Sequence, residues 1–275
     1  MCKTLIEAVT ANAKKQAPAI IKHLQLSGIN DWKDLTKANL YDFRDMVTSC
    51  VSSSSARTYF ATLKAILDRY SEESGIPCQD YRKILTAKEQ RPVKTFLNMA
   101  DLYLLEGVQP KGLLEEFVLN EFLVSAYTGM RISDVMAISL ENVNGEFLSY
   151  VSLKTKVHAM VPMRPGLDRR IKWLQEHPLT ISLPGYNNAI RRMCQRAGID
   201  ETVKVFKAGK EMEGPKWKFV SSHTGRISFC TCLASLGAGL QEIRRMAGHT
   251  TTAMTERYIV PSGIEISEKA MAFFR

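Results

Sequence analysis

The apolar positions recur at helical spacing through most of the chain. Ala56, Tyr59, Phe60, Leu63, Ile66, Leu67 and Tyr70 form one stripe, and the serine run Ser52–Ser55 just ahead of them offers hydroxyls to cap a helix start. Upstream, "TLIEAVTANAKKQAPAIIKHLQ" and "TKANLYDFRDMV" carry the same period, so residues 1 to about 85 predict a small helical bundle. "TAKEQRPVKT" then breaks all periodicity with charges and a proline and reads as a linker. "LNMADLYLLEG" restarts the fold, with Asn98 and Asp101 in capping-box spacing. "LLEEFVLNEFLVSAYTG" is apolar nearly all round, as a central helix would be, and Gly129 suits its C-terminal cap. "FLSYVSL" and "VHAMVPM" are short strand-like runs flanking "KTK", which places Lys154 at or beside a hairpin turn. "YNNAIRRMCQRAG" is helical and bears Arg191, Arg192 and Arg196, while "VKVFKAG" and "KWKFVS" predict a further hairpin. The fold class is therefore mainly α with small β-hairpins, in two domains, 1–90 and 91–275.

Composition narrows the function. A formal charge of +9 and a pI near 9.2 favour a polyanionic partner, and both domains share the excess: 14 Lys+Arg against 10 Asp+Glu in residues 1–91, and 23 against 18 beyond them. Arg57, Lys64 and Arg69 lie off the apolar stripe of their helix, available to phosphates. The cysteines (Cys2, Cys50, Cys78, Cys194, Cys230, Cys232) show no C-x-x-C pair and no secreted-domain spacing, and read as reduced, mostly buried thiols of a cytoplasmic protein. No signal peptide and no run of about 20 apolar residues is present.

Three polar clusters fall where packing alone does not explain them. In "TGMRISDVMAISL", Arg131 follows the glycine that ends the central helix, so two packed helices aim its guanidinium stiffly, as bidentate phosphate recognition requires; Asp134 can orient it or cap the next helix. "SSHTGRISF" brings His223 and Arg226 together at a helix start. "AGHTTTAMTERYI" puts His249 behind a glycine and Tyr258 nine residues later, in a polar stretch with little core for an aromatic ring to fill.

Taken in order, Arg131, Lys154 on a hairpin, His223-x-x-Arg226, Gly248-His249 and Tyr258 resemble the tyrosine recombinase, or phage integrase, family. The likeness runs from about Phe96 to Tyr258, and the helical first domain is similar to that family's SAM-like core-binding domain. One departure is Ile227, where many relatives carry a second basic residue; only a DNA or packing contact depends on it. The resemblance implies a catalytic set of Arg131, Lys154, His223, Arg226, His249 and the nucleophile Tyr258, with Asp134 in support, and DNA contacts from Arg57, Lys64, Arg191 and Arg192. Arginines and histidines neutralise the phosphoryl oxygens with neither metal nor other cofactor. Tyrosine stores the broken bond as a 3′-phosphotyrosyl ester, so no ATP is needed. Lys154 would protonate the departing 5′ oxygen, with Lys156 as a weaker candidate.

The implied partners are double-stranded DNA, a homotetramer on paired sites and accessory DNA-bending proteins, and the implied location is the nucleoid. Integrases that bridge arm and core sites usually carry an extra N-terminal domain, which these residues lack, so a simple recombinase of a phage, transposon or inversion system is expected. In the tail, Pro261 and Gly263 read as a hinge and Ser267 as the cap of a short helix with Ala270, Met271, Phe273 and Phe274, which the resemblance would dock on a neighbouring protomer. Two rival readings remain. A type IB topoisomerase uses nearly the same residues, and "CTCLASLGAGLQEIRRMAG" can pass for a helix-turn-helix, presenting Arg244 and Arg245, in a protein that binds DNA without cutting it.

Overall fold

In this computed structural model, residues 4–88, 93–207 and 210–260 are described. The chain divides into two compact units, Met1–Pro92 with Phe206–Met212 and Val93–Val205 with Glu213–Arg275. The tail expected to form a docking helix, residues 261–275, lies outside the described residues.

The first unit is built from α1 (Leu5–Ala13), α2 (Ala17–Leu26), α3 (Lys37–Cys50), α4 (Ser53–Ser74) and the short α5 (Tyr81–Ile84). Each helix buries one stripe. Leu5, Val9, Ile20, Leu24, Leu40, Phe43, Val47, Phe60, Leu63 and Leu67 meet in a common core, with Phe43 and Phe60 edge to face at 5.9 Å. Helix α4 starts inside the serine run: Ser52 is the cap, and its hydroxyl accepts from the Ser55 amide at 3.2 Å. Arg57 is exposed and Lys64 half-buried on this helix, off the core stripe as the pattern predicts.

The second unit is organised around α7 (Leu113–Thr128), which follows α6 (Met99–Glu106). Helix α7 is buried along nearly its whole circumference, because α9 (Leu167–Glu176), α10 (Leu183–Arg196) and α11 (Thr224–Ser235) all pack on it. The short α8 (Ile132–Val135) follows a break at Gly129–Arg131. Next comes an antiparallel sheet of β1 (Val143–Asn144), β2 (Phe147–Val151) and β3 (His158–Pro162), with Leu148 opposite Val161 and Tyr150 opposite Ala159 on the buried face. A separate hairpin pairs β4 (Thr202–Lys207) with β5 (Lys210–Pro215). Helices α12 (Leu240–Ala247) and α13 (Thr252–Glu256) close the described chain.

Two expectations need correction. "KWKF" is a 3₁₀ turn, Lys216–Phe219, and the strand lies one step earlier, at β5. Lys216, the first residue of that turn, has its ammonium buried and held at 2.9 Å by Asp101 and also by Glu201, a long-range ion cluster that local strand propensity does not report. The supposed linker also ends earlier than its composition suggests. Thr95 is buried, the Leu97 amide donates to Ser228 Oγ at 2.9 Å, and Lys94 reaches the Arg257 carbonyl at 2.7 Å, so residues 93–97 belong to the packed second unit. No disulfide joins the described cysteines; Cys78, Cys194 and Cys230 are buried and Cys50 is exposed. No helix among the described residues is long and apolar enough to cross a membrane.

Gly129 ends α7 at φ +71°, and a Cβ built there would lie 2.4 Å from Phe229 Cδ1. Gly129→Ala is expected to cost about 2–4 kcal/mol, combining left-handed strain with overpacking. Gly145→Ala, at φ +59° with nothing within 4 Å of its Cβ, meets the strain alone. Thermal unfolding of the two variants checks this: equal losses would contradict the role of Phe229.

Candidate active site

The end of α7 is where the site begins. Because Gly129 turns the chain, its carbonyl is free to accept from Arg226 Nη1 at 2.6 Å, and Arg226 is fully buried at the N-terminal end of α11. Gly225 lets α11 come that close. A Cβ on it would stand 3.1 Å from the Phe122 carbonyl and Ser125 Oγ, and 3.2 Å from the Ala126 nitrogen. The rest of the guanidinium, Nε and Nη2, is buried with no hydrogen-bond partner among the described residues. Burial and the neighbouring Arg131 charge both lower the Arg226 pKa. A buried cation with open donors is costly unless an anion completes it.

Arg131 caps α8 in extended backbone and is half-buried. Its Nη1 donates to Ser152 Oγ at 2.9 Å and lies 3.7 Å from Asp134 Oδ2. Asp134 is buried and accepts twice more, from Ser152 Oγ at 3.0 Å and from the Leu153 amide at 2.9 Å. That carboxylate therefore joins the first arginine to the turn that follows β2. The turn closes through Lys156 N to Ser152 O at 2.8 Å, with Lys156 at φ +56°, and Thr155 Oγ1 ties it to the Gly248 carbonyl at 3.1 Å. Lys154 is exposed at the turn's tip.

Tyr258, half-buried in the turn after α13, joins the same cluster. Its hydroxyl is 2.8 Å from His223 Nε2, and its ring centroid lies 4.6 Å from that of His249, 5.2 Å from Arg226 Cζ and 5.0 Å from Lys94 Nζ. Thr231 Oγ1 donates to its carbonyl at 3.2 Å. His249 is fully buried: Nδ1 meets Thr255 Oγ1 at 3.0 Å, and Nε2 has no partner among the described residues. Loss of water around its ring, then Arg226, Arg131 and His223, push His249 down to about 3. His223 keeps part of its surface open, yet desolvation followed by the charges of Arg226, Lys94, Arg131 and Lys154 pushes it down to about 4. Both imidazoles are neutral at pH 7.

The chain matches the model of the phage integrase family over residues 109–262, more than half its length. It belongs to that family. The recombinase is 24% identical over 217 residues to tyrosine recombinase XerC of Syntrophus aciditrophicus, covering 74% of this chain and 68% of that protein. It is 25% identical over 268 residues to tyrosine recombinase XerD of Staphylococcus saprophyticus, covering 85% and 84%. Among solved structures, the Tn1549 transposon integrase in complex with circular intermediate DNA shares the fold at TM-score 0.65 and 13% identity, over 99% of this chain and 100% of that one. This is thus a mainly helical DNA-cleaving and rejoining tyrosine recombinase, of a family that works without metal or ATP.

Tertiary structure brings Arg131, His223, Arg226, His249 and Tyr258 into one cluster, and ties the Lys154 turn to it through Asp134. Arg191 and Arg192 lie elsewhere on α10, around a cleft with Asn188, Trp217 and Lys218. Arg191 Nε already donates to the Val220 carbonyl at 2.9 Å, whereas Arg192, 3.5 Å from Glu115, remains largely exposed. Ile227 is buried, so the departure from the basic residue of relatives is a packing choice. Helices α11 and α12 do follow one another across a glycine turn, but Arg244 is committed to Gln241 and the His249 carbonyl. Sequence reasoning missed Lys94, Ser152, Thr155, Thr231 and Thr255; of these only Thr255, three residues before Tyr258, sat inside one of the three polar clusters.

Because the folded pKa values of both histidines lie below the unfolded value of about 6.5, the unfolded chain binds more protons between those limits. Their contribution to stability is complete above pH 6.5 and is lost as pH falls through about 4 and then about 3. Imidazole NMR titration of the DNA-free protein should show both resonances titrating well below 6.5; a midpoint near 6.5 for His249 would contradict the buried, cation-lined setting.

Proposed function

We propose that Tyr258 attacks a DNA phosphodiester held by Arg131, Arg226 and His249, and that the cleaved strand is kept as a 3′-phosphotyrosyl ester. The observation that carries this reading is the set of buried nitrogens without a partner among the described residues, Arg226 Nε and Nη2 and His249 Nε2, beside a tyrosine hydroxyl in contact with a histidine. Those donors suit the non-bridging oxygens, whose charge grows in the transition state. His223, kept neutral, can accept the phenolic proton at Nε2 as the oxygen–phosphorus bond forms. As the bond from phosphorus to the 5′ oxygen breaks, Lys154 supplies the proton that the leaving oxygen needs. Its place on a turn anchored at Asp134 and Gly248 lets the ammonium move while the turn's base stays fixed. Rejoining reverses these transfers, with a 5′-hydroxyl from a partner strand as nucleophile.

Tyr258 sits among donors of its own chain, which supports cleavage in cis. Strand exchange needs paired sites, and we propose a homotetramer on them, since a lambda integrase tetramer bound to a Holliday junction shares the fold at TM-score 0.61 and 14% identity over 91% of this chain. The helical first unit, with Arg57 and Lys64 off its core stripe, would contact DNA phosphates. Arg192 would contact the backbone from α10.

Incubation with a nicked suicide DNA carrying the target site tests the assignment. Tyr258→Phe should abolish the covalent adduct while leaving DNA affinity nearly unchanged, and an adduct that survives would overturn it. Mixing Tyr258→Phe with Arg226→Ala protomers should restore no cleavage, because in cis neither variant holds a complete site; complementation would show delivery in trans.

Lys154→Ala should slow cleavage by roughly 10²–10⁴-fold, as for a lost general acid. A substrate with sulfur at the 5′-bridging position, whose leaving group needs no proton, should recover most of that loss. If it recovers nothing, Lys154 is not the acid.

A further inference from the structure

The His249 ring lies 4.6 Å from that of Tyr258 and its Nε2 has no partner among the described residues, but a neutral imidazole carries only one proton, and the nitrogen that holds it decides whether this group donates or accepts. The far nitrogen sets the choice through the hydrogen bond it makes. Here that bond is to Thr255, which like His249 is fully buried.

Thr255 Oγ1 has two neighbours competing for its hydroxyl proton. His249 Nδ1 lies at 3.0 Å and the Thr251 carbonyl at 3.5 Å. The second distance is beyond the usual range for a hydroxyl donor, whereas the first is within reach of a sound bond. The Thr251 carbonyl also already faces the Thr255 amide, at 3.4 Å. The proton on Oγ1 therefore goes to Nδ1, which must accept it through its lone pair.

We propose that Thr255 is a positioning residue for His249: by donating to Nδ1 it fixes the tautomer with the proton on Nε2, so that a buried N–H faces the reacting phosphate. The opposite tautomer would turn a lone pair toward the phosphate oxygens and repel them. Since the histidine stays neutral at pH 7, gaining a second proton cannot substitute for the right tautomer. The Thr255 carbonyl also accepts from the Tyr258 amide at 2.8 Å. One residue thus links the turn carrying the nucleophile to the orientation of a phosphate donor. This inference rests on the phosphate-binding role proposed above for His249.

Long-range ¹H–¹⁵N spectra of the histidine-labelled, DNA-free recombinase at pH 7 read the tautomer whatever the reaction. Nε2 should be protonated and Nδ1 bare, and a wild-type protein protonated at Nδ1 would overturn the proposal. Thr255→Val, close in shape but unable to donate, should shift the imidazole toward mixed tautomers, while Thr255→Ser should retain the wild-type pattern. On nicked suicide DNA, Thr255→Val should slow single-turnover cleavage by about 10-fold or more, up to the 10²–10³-fold of an oxyanion donor lost outright, with DNA affinity unchanged and Thr255→Ser within a few-fold of wild type. In a His249→Ala background the valine substitution should cost nothing further. An equal loss with or without His249, or slower cleavage with an unaltered tautomer, would show that Thr255 acts only through packing. Covalent adduct formation by Tyr258→Phe would instead sink the functional reading and leave the spectra to judge the tautomer.

Discussion

The bond from Arg226 to the Gly129 carbonyl is the constraint on which the rest of the catalytic unit depends. It needs α7 to stop at a left-handed glycine so that a carbonyl is released, and α11 to cross α7 at a glycine so that the guanidinium can reach it. A charged group this deeply buried does not gain stability from one neutral acceptor. What the arrangement achieves is placement: one nitrogen is anchored, and the remaining donors are held out of water in a fixed direction.

Around that anchor, groups from distant parts of the chain are fixed by neutral hydroxyls and backbone carbonyls more than by opposing charges. Ser152 lies between Arg131 and Asp134, Thr155 holds the Gly248 carbonyl, Thr231 holds that of Tyr258, and Thr255 meets His249. Asp134 is the one carboxylate in this set, and it is saturated by Ser152 and the Leu153 amide. Burial first and neighbouring cations second lower the pKa values of His223, His249, Arg226 and Lys94, so the site disfavours positive charge while it is empty. The same imbalance favours an incoming phosphate and places fixed dipoles where its charge would grow.

The sequence alone carried the fold class, because its apolar stripes have helical period over long segments and the runs that form β2 and β3 are short and bracket a polar turn. It carried the family as well, through the order and spacing of "TGMRISD", "HTGR" and "GHTTTAMTERY". It misplaced the strand at "KWKF", where a buried ion cluster overrode local propensity, and extended the linker through Lys94, whose partner lies 163 residues away.

Only the tertiary structure decided which buried donors lack a partner among the described residues, which nitrogen of a histidine is held, and that Ser152, Thr155, Thr231 and Thr255 belong to the site at all. Periodicity and motif spacing report on neighbours within a turn or a strand, and a serine or threonine in a sequence looks the same whether it faces water or buttresses an arginine. Whether a polar group is an idle surface residue or a fixed part of the machinery is set by burial and by partners brought together when α7, α11 and the β2–β3 turn pack. Those contacts join residues as far apart as Gly129 and Arg226, 97 positions, and no local pattern encodes them.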